Sequence, residues 1–209
     1  MVIKEKIIEI VLKVNCDKKG IEKASQTIKR GGIVIFPTDT VYGIGCDPYN
    51  KKSVEKIYEI KSRDITKLVP VLTHSKEMAE KIGHIDEFTR KLIEKFWPGP
   101  LTIILELIDE NLKQSLNLKD KIAVRIPNHR CTLELLKKCN FLVGTSANIS
   151  GSPPYTNPDE CFKKLQNYDT FVDGGIITSK SVSTIIEIEN KEIKIIREGY
   201  LTKEEILRL

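Results

Sequence analysis

Side chains able to grip an anion or a hydroxyl stand where apolar runs of the sequence stop. The run Ile33-Val34-Ile35-Phe36 gives way to Pro37 and then to Thr38, Asp39, Thr40 and Tyr42, with Gly43 and Gly45 close behind. Pro-Thr-Asp is good turn chemistry, so this stretch reads equally as a turn and as one wall of a site. Lys61 and Arg63, in Lys-Ser-Arg-Asp, close a helical pattern. They suit either the negative end of a helix dipole or an anion clamp in which Arg supplies a planar fork and Lys a mobile point charge. Arg125 lies inside the apolar stretch IAVRIP, where a charge needs a partner: a structural carboxylate or an anionic ligand. Ser146, Asn148 and Ser150 follow the run FLVGT and stand beside Gly151, offering short donors and acceptors next to a pliant backbone. Ser183-Thr184 and Arg197 place polar groups at the two ends of a C-terminal hairpin. Each has an ordinary explanation as a turn or cap. Their recurrence at the ends of apolar strands predicts one concave polar site fed by many segments.

The common catalytic signatures are missing. The chain has no G-x-x-x-x-G-K-[ST], and Gly43-x-Gly45 is too short for a dinucleotide fingerprint. His74, His84 and His129 form no metal-binding pair, and no G-x-S-x-G elbow occurs.

The elements that must position these residues alternate irregularly. The segment VIKEKIIEIVLKV reads as an N-terminal strand, and residues 18–30 as a helix stopped by Gly31-Gly32. Residues 32–37 read as a strand and 52–62 as a helix with Val54, Ile57, Tyr58 and Ile60 on one face. LVPVL reads as a short strand that Pro70 consigns to an edge or a distortion. A helical pair follows over about 75–97, broken by Trp97-Pro98-Gly99-Pro100. Strands are expected at 101–108 and 121–127, a helix over about 130–138, and a buried strand in FLVGT. Asn157-Pro158-Asp159-Glu160 is a helix start, and STIIEIE and EIKIIRE form a hairpin across Asn190-Lys191. Thr202 with Glu205 forms a capping box for a closing helix. This pattern predicts α/β architecture: a twisted, open mixed sheet flanked by helices.

Composition sets bounds on the rest. A chain of 209 residues, 40% hydrophobic and 30% charged, suits one domain spanning 1–209. No apolar run reaches membrane-spanning length and the start MVIKEK has no leader pattern, so a cytoplasmic protein without membrane partners is expected. Cys16, Cys46, Cys131, Cys139 and Cys161 are scattered with no C-x-x-C, which reads as reduced, structural thiols and no zinc site. The net charge of +5 permits a phosphate or RNA partner without specifying either.

GGIVIFPTDTVYGIGCD, the Lys-x-Arg of KSRD with Lys67 beyond it, WPGPLTIIL, VRIPNH and TSANISG occur in one order over about residues 17–199. Together they resemble the YrdC-like family of L-threonylcarbamoyl-adenylate synthases in its single-domain form. The resemblance implies a YrdC-like fold around a basic cavity. It also implies a nucleotidyltransferase that converts ATP, L-threonine and bicarbonate to threonylcarbamoyl-adenylate and pyrophosphate. That product feeds threonylcarbamoyladenosine modification of tRNA through further tRNA-modification proteins.

Carried over residue by residue, the resemblance assigns Thr40, Arg125, Ser146 and Ser183 to threonine. Arg63, Lys67, Lys121, Asn148, Thr156 and Arg197 go to the nucleotide, and Lys61 with Arg63 to the catalytic cation pair. Some members place a threonine-contacting histidine where Leu72 stands here; His74 lies two residues on. Mg2+ is expected to arrive with ATP, with no protein side chain as its ligand.

The residue types suit that chemistry, because the carbamate of threonine is itself the nucleophile. The protein has to align substrates and stabilise phosphate charge. A different class of function is an RNA-binding or translation-associated module without ATP turnover. The positive charge allows weak RNA binding, but at 6% aromatic residues the sequence shows no stacking platform.

Overall fold

The computed structural model describes residues 11–179 and 181–208. In chain order the elements are β1 (Leu12–Asn15), α1 (Lys18–Lys29), β2 (Val34–Phe36), β3 (Gly43–Gly45), α2 (Lys51–Lys61), β4 (Val71–Thr73), α3 (Lys76–Ala79), β5 (Gly83–His84), α4 (Glu87–Phe96) and β6 (Leu101–Leu107). There follow α5 (Glu110–Ser115), β7 (Lys121–Arg125), α6 (Arg130–Cys139), β8 (Phe141–Val143), β9 (Thr145–Ser146), α7 (Pro158–Lys164), β10 (Thr170–Asp173), β11 (Thr184–Glu189), β12 (Glu192–Arg197) and α8 (Lys203–Leu207).

The expected mixed α/β architecture is present, but the strands divide between two sheets instead of one. The first sheet runs β1-β10-β2-β3-β9. The second runs β12-β11-β6-β7-β4-β8, with β5 paired to β6. Both mix parallel and antiparallel neighbours: β10 is parallel to β2 while β3 is antiparallel to it, and β11 is parallel to β6 while β7 is antiparallel to it. The chain passes from β8 in the second sheet to β9 in the first through Gly144 alone. The sheets are laced there by Val143 N donating to Cys46 O (3.0 Å) and Gly144 N donating to Pro70 O (2.9 Å).

Local sequence explains most element ends. Asp17 accepts from Gly20 N (2.8 Å) at the start of α1, whose Ile21, Ala24, Ser25 and Ile28 are buried at helical spacing. Asn157 caps α7 with proline in its first turn, and Thr202 and Glu205 make the expected capping box. Asn190 and Lys191 both take positive φ (52° and 63°), the twist that joins β11 tightly to β12.

The core has two parts. The larger lies around Ile33, Ile44, Ile57, Leu101 and Val124. The smaller is covered by α1 and α6, where Ile21 and Ile28 meet Leu135 and Leu136 over Phe36 and Leu72.

Several expectations are corrected. β4 lies between β7 and β8, not at an edge; Pro70 falls just before the strand begins, so its missing N–H costs no ladder bond. The helical pair over 75–97 is a one-turn helix, a two-residue strand and α4, because Gly83 and His84 pair with Leu107 and Glu106 of β6. Of the N-terminal strand only the end lies within the described residues, as β1. Cys16 and Cys131 form a disulfide across 115 positions, whereas Cys46, Cys139 and Cys161 are free. Packing of α1 beside α6 brings the two Cα atoms to 5.6 Å, a separation a disulfide spans.

Candidate functional site

The two sheets and the β11–β12 hairpin line a cleft of about 90 Å3. Its floor and sides are apolar where Phe36, Val41, Leu72, Val182 and Ile185 reach it. Besides Thr38 and Thr145, its polar groups are Thr40, Arg63, Arg125, Ser146, Ser183 and Arg197. These six residues come from segments far apart in sequence, and the fold brings them to one hollow.

Arg125 is buried at the end of β7, and each of its nitrogens is held. Nε donates to Gly99 O (2.9 Å), Nη1 to Thr40 Oγ1 (3.2 Å) and Nη2 to Asp39 Oδ1 (2.6 Å). Burial pulls its pKa below the ordinary arginine value, and the adjoining Asp39 carboxylate opposes that. The partner demanded by an arginine inside an apolar strand is thus Asp39, whose carboxylate oxygen also accepts from Asn128 N (3.0 Å). The Trp97-Pro98-Gly99-Pro100 break has a use as well: it presents the Gly99 carbonyl.

Both readings of the Pro-Thr-Asp-Thr stretch hold at once. Thr38 Oγ1 donates to Val41 O (2.6 Å) and accepts from the amides of Thr40 and Val41, which builds the turn. Asp39 Oδ1 and Thr40 Oγ1 accept from Arg125. Tyr42 is turned away from the cleft: its hydroxyl donates to Gly175 O (2.8 Å) and accepts from Gly174 N (3.1 Å). Pro37 O accepts from Thr132 Oγ1 of α6.

Arg197 sits at the rim. Its Nη2 donates to Ser183 O (2.7 Å) and to Ser183 Oγ (3.1 Å), and that hydroxyl lies 2.9 Å from Thr102 Oγ1. Desolvation, then the charges of Arg125 and Arg63, lower the Arg197 pKa. Arg197 therefore feels the charge of each of the other two guanidinium groups. Arg63 is half-buried, and its Nη2 donates to Leu68 O (2.8 Å). Arginines gathered this way with one carboxylate among them leave an excess of positive charge for an anion.

Lys61 does not face the cleft. It is 1% exposed, and its ammonium donates to Ser146 O, to Asn148 O (2.7 Å) and to Asn148 Oδ1 (3.3 Å). Burial, with the charge of Arg63, pulls its pKa down to about 8. The expected catalytic cation is in this structure the brace behind the Ser-Ala-Asn segment. Asn148 faces the same way, its amide donating to Ile149 O (3.1 Å) and Ser152 O (2.5 Å).

Lys67, Lys121 and Thr156 are not in the cleft lining. Lys67 is exposed, with its carbonyl accepting from Tyr58 (3.0 Å). Thr156 O accepts from Ile177 N (2.9 Å). Lys121 lies four residues before Arg125 on β7, about 13 Å along the strand. It pairs there with Glu187 and Glu189 and borders a neighbouring hollow that shares Leu68 with the cleft. Leu72 does line the cleft, beside Arg125 in the β4–β7 register, whereas His74 does not. Among the described residues, no group of three or more His, Cys, Asp or Glu side chains could hold a metal ion.

A family model described as telomere recombination (Sua5, YciO and YrdC) matches residues 26–199. A putative threonylcarbamoyl-AMP synthase of Methanocaldococcus jannaschii is 39% identical over all of both chains. The threonylcarbamoyl-AMP synthase of Bacillus subtilis is 31% identical over 89% of this chain and 55% of its own length. The structure of Pyrococcus abyssi Sua5 complexed with L-threonine superposes with a TM-score of 0.82 at 30% identity, over 94% of this chain and 59% of that one. YciO of E. coli shares the fold over 95% of this chain and 100% of its own (TM-score 0.85, 21% identity).

Proposed function

This chain belongs to the Sua5/YciO/YrdC family, and from that premise we propose that it is a threonylcarbamoyl-AMP synthase. It joins L-threonine, bicarbonate and ATP and releases pyrophosphate, and the adenylate serves tRNA modification. The observation that carries this reading is the convergence of Arg63, Arg125 and Arg197 with the hydroxyls of Thr40, Ser146 and Ser183 on one cleft.

The chemistry balances without an enzyme nucleophile. The threonine amine adds to the carbon of bicarbonate, and water leaves to give the carbamate. A carbamate oxygen then attacks the α-phosphorus of ATP, and the bond to the bridging oxygen breaks to release pyrophosphate. This chain's part is to hold the amino-acid carboxylate at Arg125 and the phosphates at Arg63 and Arg197. The cleft's hydroxyls orient the amino acid, and its apolar side meets the threonine methyl. Selection against valine rests on an unpaired hydroxyl partner and is strong, whereas selection against serine rests on one methyl.

Among the described residues, no carboxylate lines the cleft. The ion is best carried on the nucleotide, where it neutralises phosphate charge. No helix among the described residues is long and apolar enough to cross a membrane, and we place the protein in the cytoplasm with the tRNA-modification proteins that consume its product.

Purified protein should release pyrophosphate only when Mg-ATP, L-threonine and bicarbonate are present together. Arg63→Ala should lower kcat/KM at least tenfold, the equivalent of losing one charge-assisted hydrogen bond of roughly 1.5–3 kcal/mol, with an unchanged circular dichroism spectrum. Absence of pyrophosphate release, with steeply salt-dependent RNA binding in its place, would transfer the assignment to an RNA-binding module.

A further inference from the structure

Among the described residues, Asp39 is the one carboxylate in an ion pair with any of the three cleft arginines. Its consequences are geometric and electrostatic. One oxygen, Oδ1, accepts from Arg125 Nη2 (2.6 Å) and from the backbone N–H of Asn128 (3.0 Å), so the carboxylate is itself fixed by the loop between β7 and α6. With Gly99 O on Nε and Thr40 Oγ1 on Nη1, the guanidinium is held from three segments. Of its five N–H groups, two remain for a ligand. Arg63 and Arg197 have no such neutralising partner among the described residues; their donors go to carbonyl and hydroxyl oxygens.

Asp39 itself stands behind the cleft and lines a neighbouring hollow with Gly99 and Asn128. We propose that Asp39 is a positioning and selectivity residue that acts on the cleft from behind Arg125, making Arg125 a receptor for the zwitterionic amino acid and leaving Arg63 and Arg197 to the triphosphate. The Arg125–Asp39 pair is neutral overall but strongly directional. It can offer two N–H groups to a carboxylate without presenting net charge. A triphosphate gains little from a guanidinium whose charge is offset by the carboxylate behind it, whereas an amino acid with no net charge needs only the directed N–H groups. Without Asp39, three equivalent cations would line one hollow, and phosphate would compete with threonine for all of them. The proposal rests on the synthase reading for the identity of its substrates.

The test separates charge from geometry by measuring L-threonine and ATP affinities individually in wild-type protein, Asp39→Asn and Asp39→Glu, by calorimetry, with thermal midpoints recorded for each. Asp39→Asn keeps an oxygen for Arg125 and Asn128 but removes the charge. Its threonine affinity measured alone should stay within about threefold of wild type, its ATP affinity should rise at least tenfold, and inorganic triphosphate should displace threonine from it but not from wild type. Asp39→Glu keeps the charge and should stay within about threefold of the wild-type threonine-to-ATP affinity ratio.

Unaltered ATP binding in Asp39→Asn, with threonine still undisplaced by triphosphate, overturns the proposal. So does a parallel loss of both affinities together with a lower midpoint, which marks a merely structural carboxylate. If Asp39→Asn fails to fold, Asp39→Glu decides: a tenfold shift of the ratio towards ATP overturns the proposal and a preserved ratio supports it. Wild-type protein that binds no threonine sinks the synthase reading and this inference together. Wild-type binding with an unchanged Asp39→Asn sinks the inference alone.

Discussion

Lys61 and Arg63 are two positions apart, both cationic, and do opposite things. The sequence shows their charges but not their directions. Ser62 between them takes a left-handed conformation (φ 48°) as α2 ends, which sends Lys61 inward and Arg63 to the cleft. Nothing in Lys-Ser-Arg-Asp announces a left-handed serine, so a shared role was the natural reading. Arg125 was more legible, since an arginine in an apolar strand has to find a partner, although whether that would be a carboxylate or a ligand was open.

The burial of Lys61 has a pH signature. Its folded-state pKa of about 8 lies below the ordinary 10.5. Below pH 8 the ammonium is charged folded or unfolded, and the cost of burying it is fully present. Between 8 and 10.5 the unfolded chain binds more protons than the folded one, so this residue's contribution to stability rises with pH. At 1.36 kcal/mol per unit the rise is about 3 kcal/mol. Urea unfolding of wild type and Lys61→Met from pH 7 to 11 should show their difference moving in favour of wild type by up to that amount. A flat difference would contradict the buried ammonium.

Among the elements, those with a clean period were readable: α1, α2, the β11–β12 hairpin and the capped start of α7. Three short strands of the first sheet were not. β3 is Gly-Ile-Gly, β9 is two residues long, and β10 is four, too short for alternation to register, yet all three belong to the first sheet. Their pairing is made possible by close backbone approach rather than side-chain pattern. A Cβ at Gly45 would lie 2.0 Å from the carbonyl oxygen of Val143, at the point where the two sheets are laced. A backbone oxygen cannot rotate out of the way, so Gly45→Ala must separate the sheets locally and should cost about 3 kcal/mol, at the upper end for overpacking. For a chain of this size that lowers the thermal midpoint by roughly 6–12 °C. Gly151→Ala is the control. It has positive φ (86°) but nothing within 4 Å of its Cβ, so only backbone strain of about 1 kcal/mol applies. Equal midpoints for the two variants would show that the sheets are not in contact at Gly45.

At the scale of the whole molecule the cleft depends on α6, because Thr132 holds Pro37 and the loop just before the helix holds Asp39. The Cys16–Cys131 disulfide ties the first turn of this helix to the end of β1, a link invisible in a scattered set of five cysteines. Because it closes a loop across 115 positions, loop-closure entropy assigns it about 4–5 kcal/mol, acting mainly on the unfolded chain. The folded site keeps the hydrogen bonds from α6 whether or not the bridge is intact. A dithiol reductant should therefore lower the urea midpoint of wild type to that of Cys16→Ser, a variant that should not respond to reductant. Initial rates of pyrophosphate release at 25 °C should agree within about twofold for oxidised wild type, reduced wild type and Cys16→Ser, since a constraint on the unfolded chain leaves the folded cleft unaltered. Cys16 is exposed, so the reductant can reach the bridge. A wild-type midpoint unmoved by reductant, with both thiols alkylated before its addition, would show that the bridge does not form. A rate that collapsed on reduction at an unchanged midpoint would instead make the bridge part of the site.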